Sequence, residues 1–272
     1  MLLALTRAVP ASIERCELTH LARTPIDYAR AVEQHRLYED ALQRAGCRIE
    51  RLPPAPELPD SVFVEDTAVV FDAVAVIARP GAESRQGEVD AMIAALRPHR
   101  PLVFIQAPGT LDGGDVLVTP GRVFVGISGR TNAEGARQLA VHLAPYGFDV
   151  TAVQVHRCLH LKSAVSLVSL PPAPEGGRSP TAQRPALLIN PEWVDSAHFT
   201  GFDLIEVYPE EPAAGNVLHI EQQVLCAAEH PRTRRRLEAQ GHVAVAVPAG
   251  ELAKAEGGLT CCSVVLKLND SP

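Results

Sequence analysis

Short apolar stretches alternate with longer amphipathic stretches along most of the chain. The clearest amphipathic stretch, 27–44, has its apolar residues on or near one face and is followed by Gly46, so it predicts a helix that ends before the glycine. Further along, pairs of apolar runs joined by turn residues predict pairs of strands, and each pair precedes a helix. The strands are predicted at Val69–Ile77 with a turn at Asp72, at Asp115–Val118 with Val123–Val125, and at Val217–Ile220 with Val224–Ala227; the helices are predicted at Ser84–Leu96, Asn132–Leu143 and Pro231–Gln240. The pattern therefore predicts an α/β protein.

The same order of elements recurs, and it predicts internal repeats. A polar residue stands just ahead of a strand at five positions that are roughly 45 to 56 residues apart. These positions are Asp66, Asp112, His160, Asn216 and Cys261. Radial repetition of five strand–strand–helix–strand modules would bring them together at a central channel. The alternative is an ordinary α/β domain whose even spacing is a coincidence.

One interval is longer than the others because it contains the Pro/Gly/Ser-rich stretch 171–185, PPAPEGGRSPTAQRP. Such a composition is typical of a surface loop inserted between strands. We therefore expect a single catalytic domain over 1–272 that carries this one loop insertion.

Composition and charge exclude several classes of protein. The 272 residues include 25 basic and 32 acidic side chains, for a net charge of −7, and no long basic run that would suit nucleic acid. No apolar stretch is long enough for a membrane span, and the apolar start of the chain is too short for a secretory signal. The six cysteines lack metal-ligand spacing and are expected to be reduced thiols, which predicts a cytoplasmic protein without metal or cofactor.

The five polar positions form a chemically coherent set if they converge. A histidine can activate a thiol and then act as acid and base, and a carboxylate can orient its imidazole. A second carboxylate can bind a planar cation at two points. Each residue also has a structural alternative: Cys261 as a small buried apolar side chain, His160 as a core histidine and Asp112 as a turn residue. Gly257 and Gly258 favour the functional alternative for Cys261, since they let the backbone approach a ligand closely.

Several longer motifs resemble one known family. They are DSVFVED at 60–66, RPGAES-R at 79–85, GRTNAEGARQ at 129–138, LHLKS at 159–163, NPEW with the GFDLIEV that follows it, and GGLTC at 257–261. In this order, from about Leu18 to Cys261, the chain is similar to dimethylarginine dimethylaminohydrolases. The resemblance implies the pentein fold, a five-fold pseudosymmetric α/β-propeller of ββαβ modules around a central active site.

The resemblance also implies roles for individual residues. Cys261 would be the nucleophile, His160 the general acid and base, and Asp112 the carboxylate that orients the histidine. Asp66 would bind the guanidinium group, with a contribution from Glu65 through its backbone carbonyl. The residues that would hold the amino-acid end of the substrate are Leu18 and Ala255 through their main chains, Asp60, Arg85 and Arg130. Cys262 is expected to be structural.

The implied reaction is hydrolysis of N-ω-methylated arginines to citrulline and methylamines through a covalent Cys261 thiouronium. The relatives that act on free arginine commonly carry an acidic residue two positions after the histidine, whereas this chain has Lys162 there, which favours methylated substrates. Two alternatives stay open: an arginine deiminase-like or other guanidino or ureido hydrolase, and a non-catalytic protein that binds guanidino compounds. A small guanidino compound is the expected partner. The sequence does not fix the oligomeric state, for which a homodimer is one option.

Overall fold

A computed structural model of the chain describes residues 1–170 and 184–268. The predicted loop insertion at 171–185 lies almost entirely outside the described residues. The strands are β1 (Leu2–Thr6), β2 (Cys47–Arg51), β3 (Ala68–Val70), β4 (Ala75–Ile77), β5 (Leu102–Phe104), β6 (Val116–Thr119), β7 (Arg122–Ile127), β8 (Asp149–Gln154), β9 (Val165–Ser169), β10 (Ala186–Ile189), β11 (Asp203–Glu206), β12 (Val217–Ile220), β13 (Gln223–Ala227), β14 (Val243–Val247) and β15 (Val264–Lys267). The α-helices are α1 (Tyr28–Arg44), α2 (Val89–Leu96), α3 (Ala133–Leu143), α4 (Leu161–Ala164), α5 (Pro231–Ala239) and α6 (Gly250–Ala253).

The strands form three-stranded sheets that all follow one plan. Their orders are β3-β4-β5, β6-β7-β8, β9-β10-β11, β12-β13-β14 and β15-β1-β2. In each sheet the first two strands are antiparallel and the last two are parallel. The parallel pair needs a crossover, and a helical segment supplies it each time. The five predicted ββαβ modules are thereby confirmed.

The fifth module joins the two ends of the chain. β15 pairs antiparallel with β1, with Leu2 opposite Lys267 and Leu5 opposite Val264. The ring of modules is therefore closed by main-chain hydrogen bonds and not by a loop. The first strands of neighbouring modules contact one another in the pairs β15 with β3, β6 with β9, and β9 with β12. These inner strands surround the centre of the molecule, as radial repetition predicts.

Two of the four predicted helices begin at a capping side chain. Asp27 caps α1 by accepting from the Arg30 amide, and Asn132 caps α3 by accepting from the Gly135 amide. Gly46 follows α1 with a φ of 93°, the left-handed conformation that suits glycine after a helix.

Two predictions about elements were wrong in detail. The helix predicted at Ser84–Leu96 begins as a 3₁₀ segment, Glu83–Glu88, because Arg85 and Glu88 turn inward to form a buried ion pair. The strand predicted to start at Asp115 starts at Val116, since Asp115 ends a short 3₁₀ turn. In the third module a 3₁₀ turn, Ser196–Phe199, takes the place of the α-helix. Among the described residues, no helix combines the length and apolar character of a membrane span.

Candidate active site

A short helical turn precedes the inner strand of each module. Within or beside these turns lie the five polar positions singled out from the sequence: Asp66 in Val64–Thr67, Asp112 ahead of Gly113–Asp115, His160 ahead of α4, Asn216 after Pro212–Gly215, and Cys261 in Thr260–Cys262. Because the inner strands surround one axis, the turns bring these residues to one end of the centre. The backbone positions therefore converge as predicted. Their side chains do not all contact one another, and each forms its own set of hydrogen bonds.

His160 lies between two carboxylates. Its Nε2 is 3.1 Å from Asp112 Oδ2, and its Nδ1 is 3.7 Å from Asp66 Oδ1. Burial alone would lower the pKa of His160, but Asp66 and the hydrogen bond to Asp112 outweigh it and raise that pKa to about 9. The imidazole is consequently protonated at neutral pH. Gly114 makes this packing possible, since a Cβ there would lie 2.5 Å from His160 Nδ1.

Asp66 is held by a buried arginine. Arg85 Nη1 donates to Asp66 Oδ2 at 2.6 Å, and the Gly114 amide donates to Oδ1 at 2.9 Å. Burial would raise the pKa of Asp66, but His160 and Arg85 together lower it to about 2. Glu88 fixes Arg85 from the other side, with its two oxygens 3.2 Å and 2.8 Å from Arg85 Nε and Nη2. Asp66 is therefore an oriented carboxylate that stays ionised.

Cys261 is buried beside these charges. The Gly258 amide donates to its Sγ at 3.3 Å. Burial, followed by the nearby Glu65 and Asp66 carboxylates, raises the pKa of the thiol to about 12. The thiol is thus protonated at neutral pH in this form of the protein, although the amide is placed to stabilise a thiolate. Asn216 supports the same loop, because its Oδ1 accepts from the Thr260 amide at 3.1 Å and its Nδ2 donates to Thr260 Oγ1 at 3.0 Å.

Glu65 is paired through its carboxylate. Lys162 Nζ donates to Glu65 Oε1 at 2.6 Å, and Thr260 Oγ1 donates to Oε2 at 2.7 Å. These three side chains line a cavity of about 220 Å³ between the inner strands, and the thiol of Cys261 is not part of its wall. The Glu65 carboxylate therefore connects three modules, and its ion pair neutralises the charge of Lys162 next to the site.

A small cavity collects most of the residues to which the resemblance assigns roles. Its lining includes Asp60, Asp66, Arg85, Arg130, His160, Ala255 and Cys261. Leu18, Glu65 and Asp112 do not line it: Leu18 packs on the core cluster that contains Cys261, and Asp112 lies behind His160. Besides Asp66 and Arg85, which pair with each other, two further substrate-binding candidates already have partners. Asp60 accepts from the Glu17 amide at 3.3 Å and 3.1 Å, and Arg130 Nη2 donates to Thr19 Oγ1 at 3.4 Å.

The segment 17–23 starts at Glu17, which lines this cavity, and its backbone is held by one carboxylate. Glu256 accepts from the amides of Thr19, His20 and Leu21 at 3.0 Å, 2.5 Å and 2.5 Å. Glu256 has a φ of 57°, a conformation that costs a non-glycine residue energy and often marks functional loops. The cavity measures about 10 Å³, room for about one water molecule. The structure is therefore a closed form of the site.

One buried cluster has the composition of a metal site. Asp66, Asp112 and His160 each offer a ligand atom, and these atoms lie within 4.8 Å of one another. Cationic side chains already occupy the positions around it, since Arg85 bonds to Asp66 and Arg130 Nη1 lies 3.9 Å from Asp112 Oδ2. A metal ion would have to compete with both arginines and with the imidazolium.

Sequence reasoning missed four residues that shape the site: Glu17, Glu88, Asp115 and Glu256. Glu17 and Glu256 line the cavity, and Glu88 and Asp115 are fully buried carboxylates one step behind it. The sequence offered a sign that Asp115 belongs to the site, because it shares the Leu-Asp-Gly-Gly-Asp segment with Asp112. It was assigned to a strand instead. For Glu256 the adjacent Gly257-Gly258 pair indicated a functional loop without indicating the carboxylate.

The fold is shared with enzymes that have little sequence in common with this chain. The N-terminal domain of ArgZ, an arginine dihydrolase from cyanobacteria, superposes with a TM-score of 0.82 at 17% identity over 98% of both chains. With the five modules around a central site, this places the chain among the pentein-fold proteins. No protein-family model matches the chain.

Relatives with much higher sequence identity show which family of pentein-fold proteins the chain belongs to. N(G),N(G)-dimethylarginine dimethylaminohydrolase of Streptomyces coelicolor is 40% identical over 265 residues, covering 97% of this chain and 96% of that protein. The protein of the same name from Pseudomonas aeruginosa is 36% identical over 248 residues, covering 90% and 91%. A cysteine-to-serine mutant of the Pseudomonas enzyme in complex with citrulline superposes with a TM-score of 0.86 at 34% identity, over 97% of this chain and 98% of that one. The chain belongs to the dimethylarginine dimethylaminohydrolase family.

Proposed function

We propose that this protein hydrolyses N-ω-methylated arginines to citrulline and methylamines through a covalent intermediate on Cys261. The observation that carries the proposal is the common cavity of Cys261, His160 and Asp66, which holds a nucleophile, a protonated acid and an ionised carboxylate within one closed space. The membership in the family and the citrulline bound by the Pseudomonas relative support the same chemistry. The reaction centre in this proposal consists of Cys261, His160 and Asp66, and Asp112 supports it by its hydrogen bond to His160.

The substrate itself supplies the charge that the thiol needs. Burial and the carboxylates of Glu65 and Asp66 raise the pKa of the Cys261 thiol, so the resting site opposes a thiolate. A guanidinium cation bound at Asp66 neutralises that carboxylate and places a positive charge next to Sγ, which favours ionisation. The thiol proton then leaves to solvent, because His160 is already protonated. The nucleophile is therefore formed on substrate binding.

The reaction proceeds in two halves. In the first, Cys261 Sγ attacks the guanidinium carbon, the bond from that carbon to the methylated nitrogen breaks, and the His160 imidazolium gives its Nδ1 proton to the departing amine. The product of this half is a thiouronium on Cys261. In the second half, neutral His160 takes a proton from water as the water attacks the same carbon. The carbon–sulfur bond then breaks, the remaining hydroxyl proton passes to the Cys261 sulfur, and citrulline and the resting thiol are released. Asp112 keeps the imidazole oriented in both halves.

The amino-acid end of the substrate has matching groups. Arg130 Nη1 is buried and makes no hydrogen bond within the part of the chain that the structure describes, so it is available to an α-carboxylate. Arg85 lines the same cavity and adds positive charge, and Asp60 suits the α-ammonium once the Glu17 amide moves away. Ala255, which would bind through its main chain, lines the cavity as it stands. The main chain of Leu18 and the backbone carbonyl of Glu65, which do not line it in the closed form, would contribute once the site has rearranged around the substrate. These roles require segment 17–23 to open and close again over the substrate.

The Glu65–Lys162 pair supports the choice of a methylated substrate. An acidic residue at position 162 would add a second anionic partner for unsubstituted guanidinium nitrogens, whereas Lys162 pairs with Glu65 and leaves none. A methylated nitrogen has fewer N–H donors, so its binding leaves fewer of them without a hydrogen-bond acceptor and costs less binding free energy. All six cysteines are free thiols in the structure, which suits the reduced thiolate chemistry and a cytoplasmic location.

The test is a citrulline-release assay on purified protein with asymmetric dimethylarginine, monomethylarginine and free arginine in parallel. We expect citrulline from the methylated substrates and little from free arginine. Citrulline mainly from free arginine would keep the cysteine mechanism and overturn the substrate. No citrulline from any of the three would overturn the proposed function and favour another guanidino compound or a binding role, and the Cys261→Ser protein serves as the blank.

A further inference from the structure

Asp115 is a fully buried carboxylate that does not line the cavity. Its Oδ1 accepts from the Leu161 amide at 2.9 Å, and its Oδ2 accepts from Ser128 Oγ at 2.6 Å. Its side chain is 0% exposed, and a Cβ at Gly126 of β7 would lie 2.6 Å from Oδ1, so the neighbouring strand leaves space for it. Burying a carboxylate is costly, and the cost indicates that this one has a specific task.

The first task concerns the backbone next to His160. His160 is the N-cap residue of α4, but its side chain makes no capping bond because the imidazole is turned towards Asp112. The first amide of the helix therefore needs an acceptor from elsewhere. Asp115, from the preceding module, supplies it. This arrangement frees the His160 side chain for the site and fixes the main chain immediately after it.

The second task concerns the loop of Arg130. Ser128 Oγ, which donates to Asp115, also accepts from the amides of Arg130 and Thr131 at 3.0 Å and 3.2 Å. Thr131 Oγ1 in turn accepts from the Asp112 amide at 3.0 Å. One carboxylate thereby joins the main chain of the acid–base residue to the loop that presents the arginine of the substrate-carboxylate pocket.

We propose that Asp115 is a positioning residue that couples His160 to the Arg130 loop, so that the acid and the substrate clamp keep one relative placement. The inference rests on the proposed roles of His160 and Arg130. The charged and titratable groups that face Asp115 are His160, Asp112 and the buried Cys158 thiol, and the polar hydrogens come from Ser128, Thr131 and the Leu161 amide. The Asp115 charge, together with Asp66 and Asp112, also favours the protonated form of His160.

The proposal predicts different effects for the two tasks. Asp115→Ala removes both acceptors, and we expect kcat to fall about 100-fold, the effect of a misplaced catalytic group. Asp115→Asn keeps an oxygen for the Leu161 amide, so it should rescue most of kcat while shifting the basic limb of the pH profile downwards. Ser128→Ala removes only the connection to the Arg130 loop. It should raise KM about tenfold and leave kcat within a few-fold of the wild type, because the contact with the substrate carboxylate is weakened equally in the ground state and the transition state.

The deciding measurement combines these kinetics with an NMR titration of His160 in protein labelled at the histidine rings, assigned with His160→Gly. We expect the imidazole pKa of His160 to fall in Asp115→Asn relative to the wild type. Asp149→Asn, an exposed carboxylate, is the matched control and should change nothing. Unchanged kcat in Asp115→Ala together with an unchanged His160 titration in Asp115→Asn would overturn the proposal. If the wild type releases no citrulline, the proposed function fails, but a comparison of the His160 titration in Asp115→Ala and Asp115→Asn still tests positioning, since both lack the charge and only Asp115→Asn keeps the acceptor for the Leu161 amide. Different titrations in the two variants would support positioning, and identical ones would overturn it.

Discussion

Replacing Asp112 with asparagine would leave two hydrogen-bond donors, the Gly81 amide and His160 Nε2, competing for one acceptor oxygen. Asp112 Oδ1 accepts from the Gly81 amide at 2.8 Å and Oδ2 from His160 Nε2 at 3.1 Å. An asparagine has one acceptor oxygen, so its NH₂ group must face one of these two donors. The conflict is relieved only if His160 loses its Nε2 proton and becomes neutral. The substitution therefore removes the form of His160 that protonates the departing amine.

The magnitude follows from the bond that is lost. A hydrogen bond to a charged group contributes about 1.5–3 kcal/mol. Since about 1.4 kcal/mol corresponds to a tenfold change in rate, kcat should fall about 10- to 150-fold. In the wild type the basic limb of kcat should lie near pH 9, where His160 loses its proton, and in Asp112→Asn it should move towards the ordinary histidine value of 6.5.

The same substitution predicts how stability depends on pH. Because the pKa of His160 is higher in the folded than in the unfolded protein, its stabilising contribution is complete below pH 6.5 and is lost as the pH rises through about 9. Asp112→Asn should therefore lower Tm more at pH 6 than at pH 10. Citrulline release between pH 6 and 10 and thermal unfolding at both ends test this, with Asp149→Asn as control. A folded variant whose kcat and basic limb match the wild type would show that Asp112 does not keep His160 protonated.

Three further predictions follow from the site. Cys261→Ser and His160→Gly should each abolish turnover while far-ultraviolet circular dichroism and Tm stay close to the wild type; retained turnover in either would exclude the mechanism. Glu256→Ala should release segment 17–23 and speed tryptic cleavage after Arg23 at least several-fold, because three amides lose their shared acceptor, whereas the exposed Glu83→Ala should not; equal cleavage rates would show that Glu256 does not hold the segment. Dialysis against a chelator should leave citrulline release unchanged, and a loss restored by one divalent metal would assign an ion to the Asp66–Asp112–His160 cluster.

The modular fold could be predicted because its signal is periodic. Apolar strand pairs and one polar residue ahead of each inner strand recur along the chain, and the structure places all five polar residues within or beside short helical turns. The closure of the ring by pairing of β1 with β15 was not predicted, because it depends on a contact between the two ends of the described chain. The helical part of the third module could not be read in this way, since its segment forms only a 3₁₀ turn.

The side-chain pairs of the site depend on contacts that are distant in sequence. The resemblance assigns Asp66 and Arg85 to the substrate, yet in the closed form they bind each other at 2.6 Å. Nor does any local pattern reveal that Glu256 holds a segment more than 230 residues away or that Asp115 serves a helix in the next module. Such partners are set by how the modules meet, and a linear pattern contains no information about that geometry.

The most direct test of the covalent mechanism is mass spectrometry of protein quenched in acid during turnover of asymmetric dimethylarginine. We expect an adduct equal to the substrate minus dimethylamine, located by peptide fragmentation on Cys261 and retained in Cys262→Ala. Absence of any adduct under conditions of rapid turnover, or an adduct confined to Cys262 or another thiol, would contradict it.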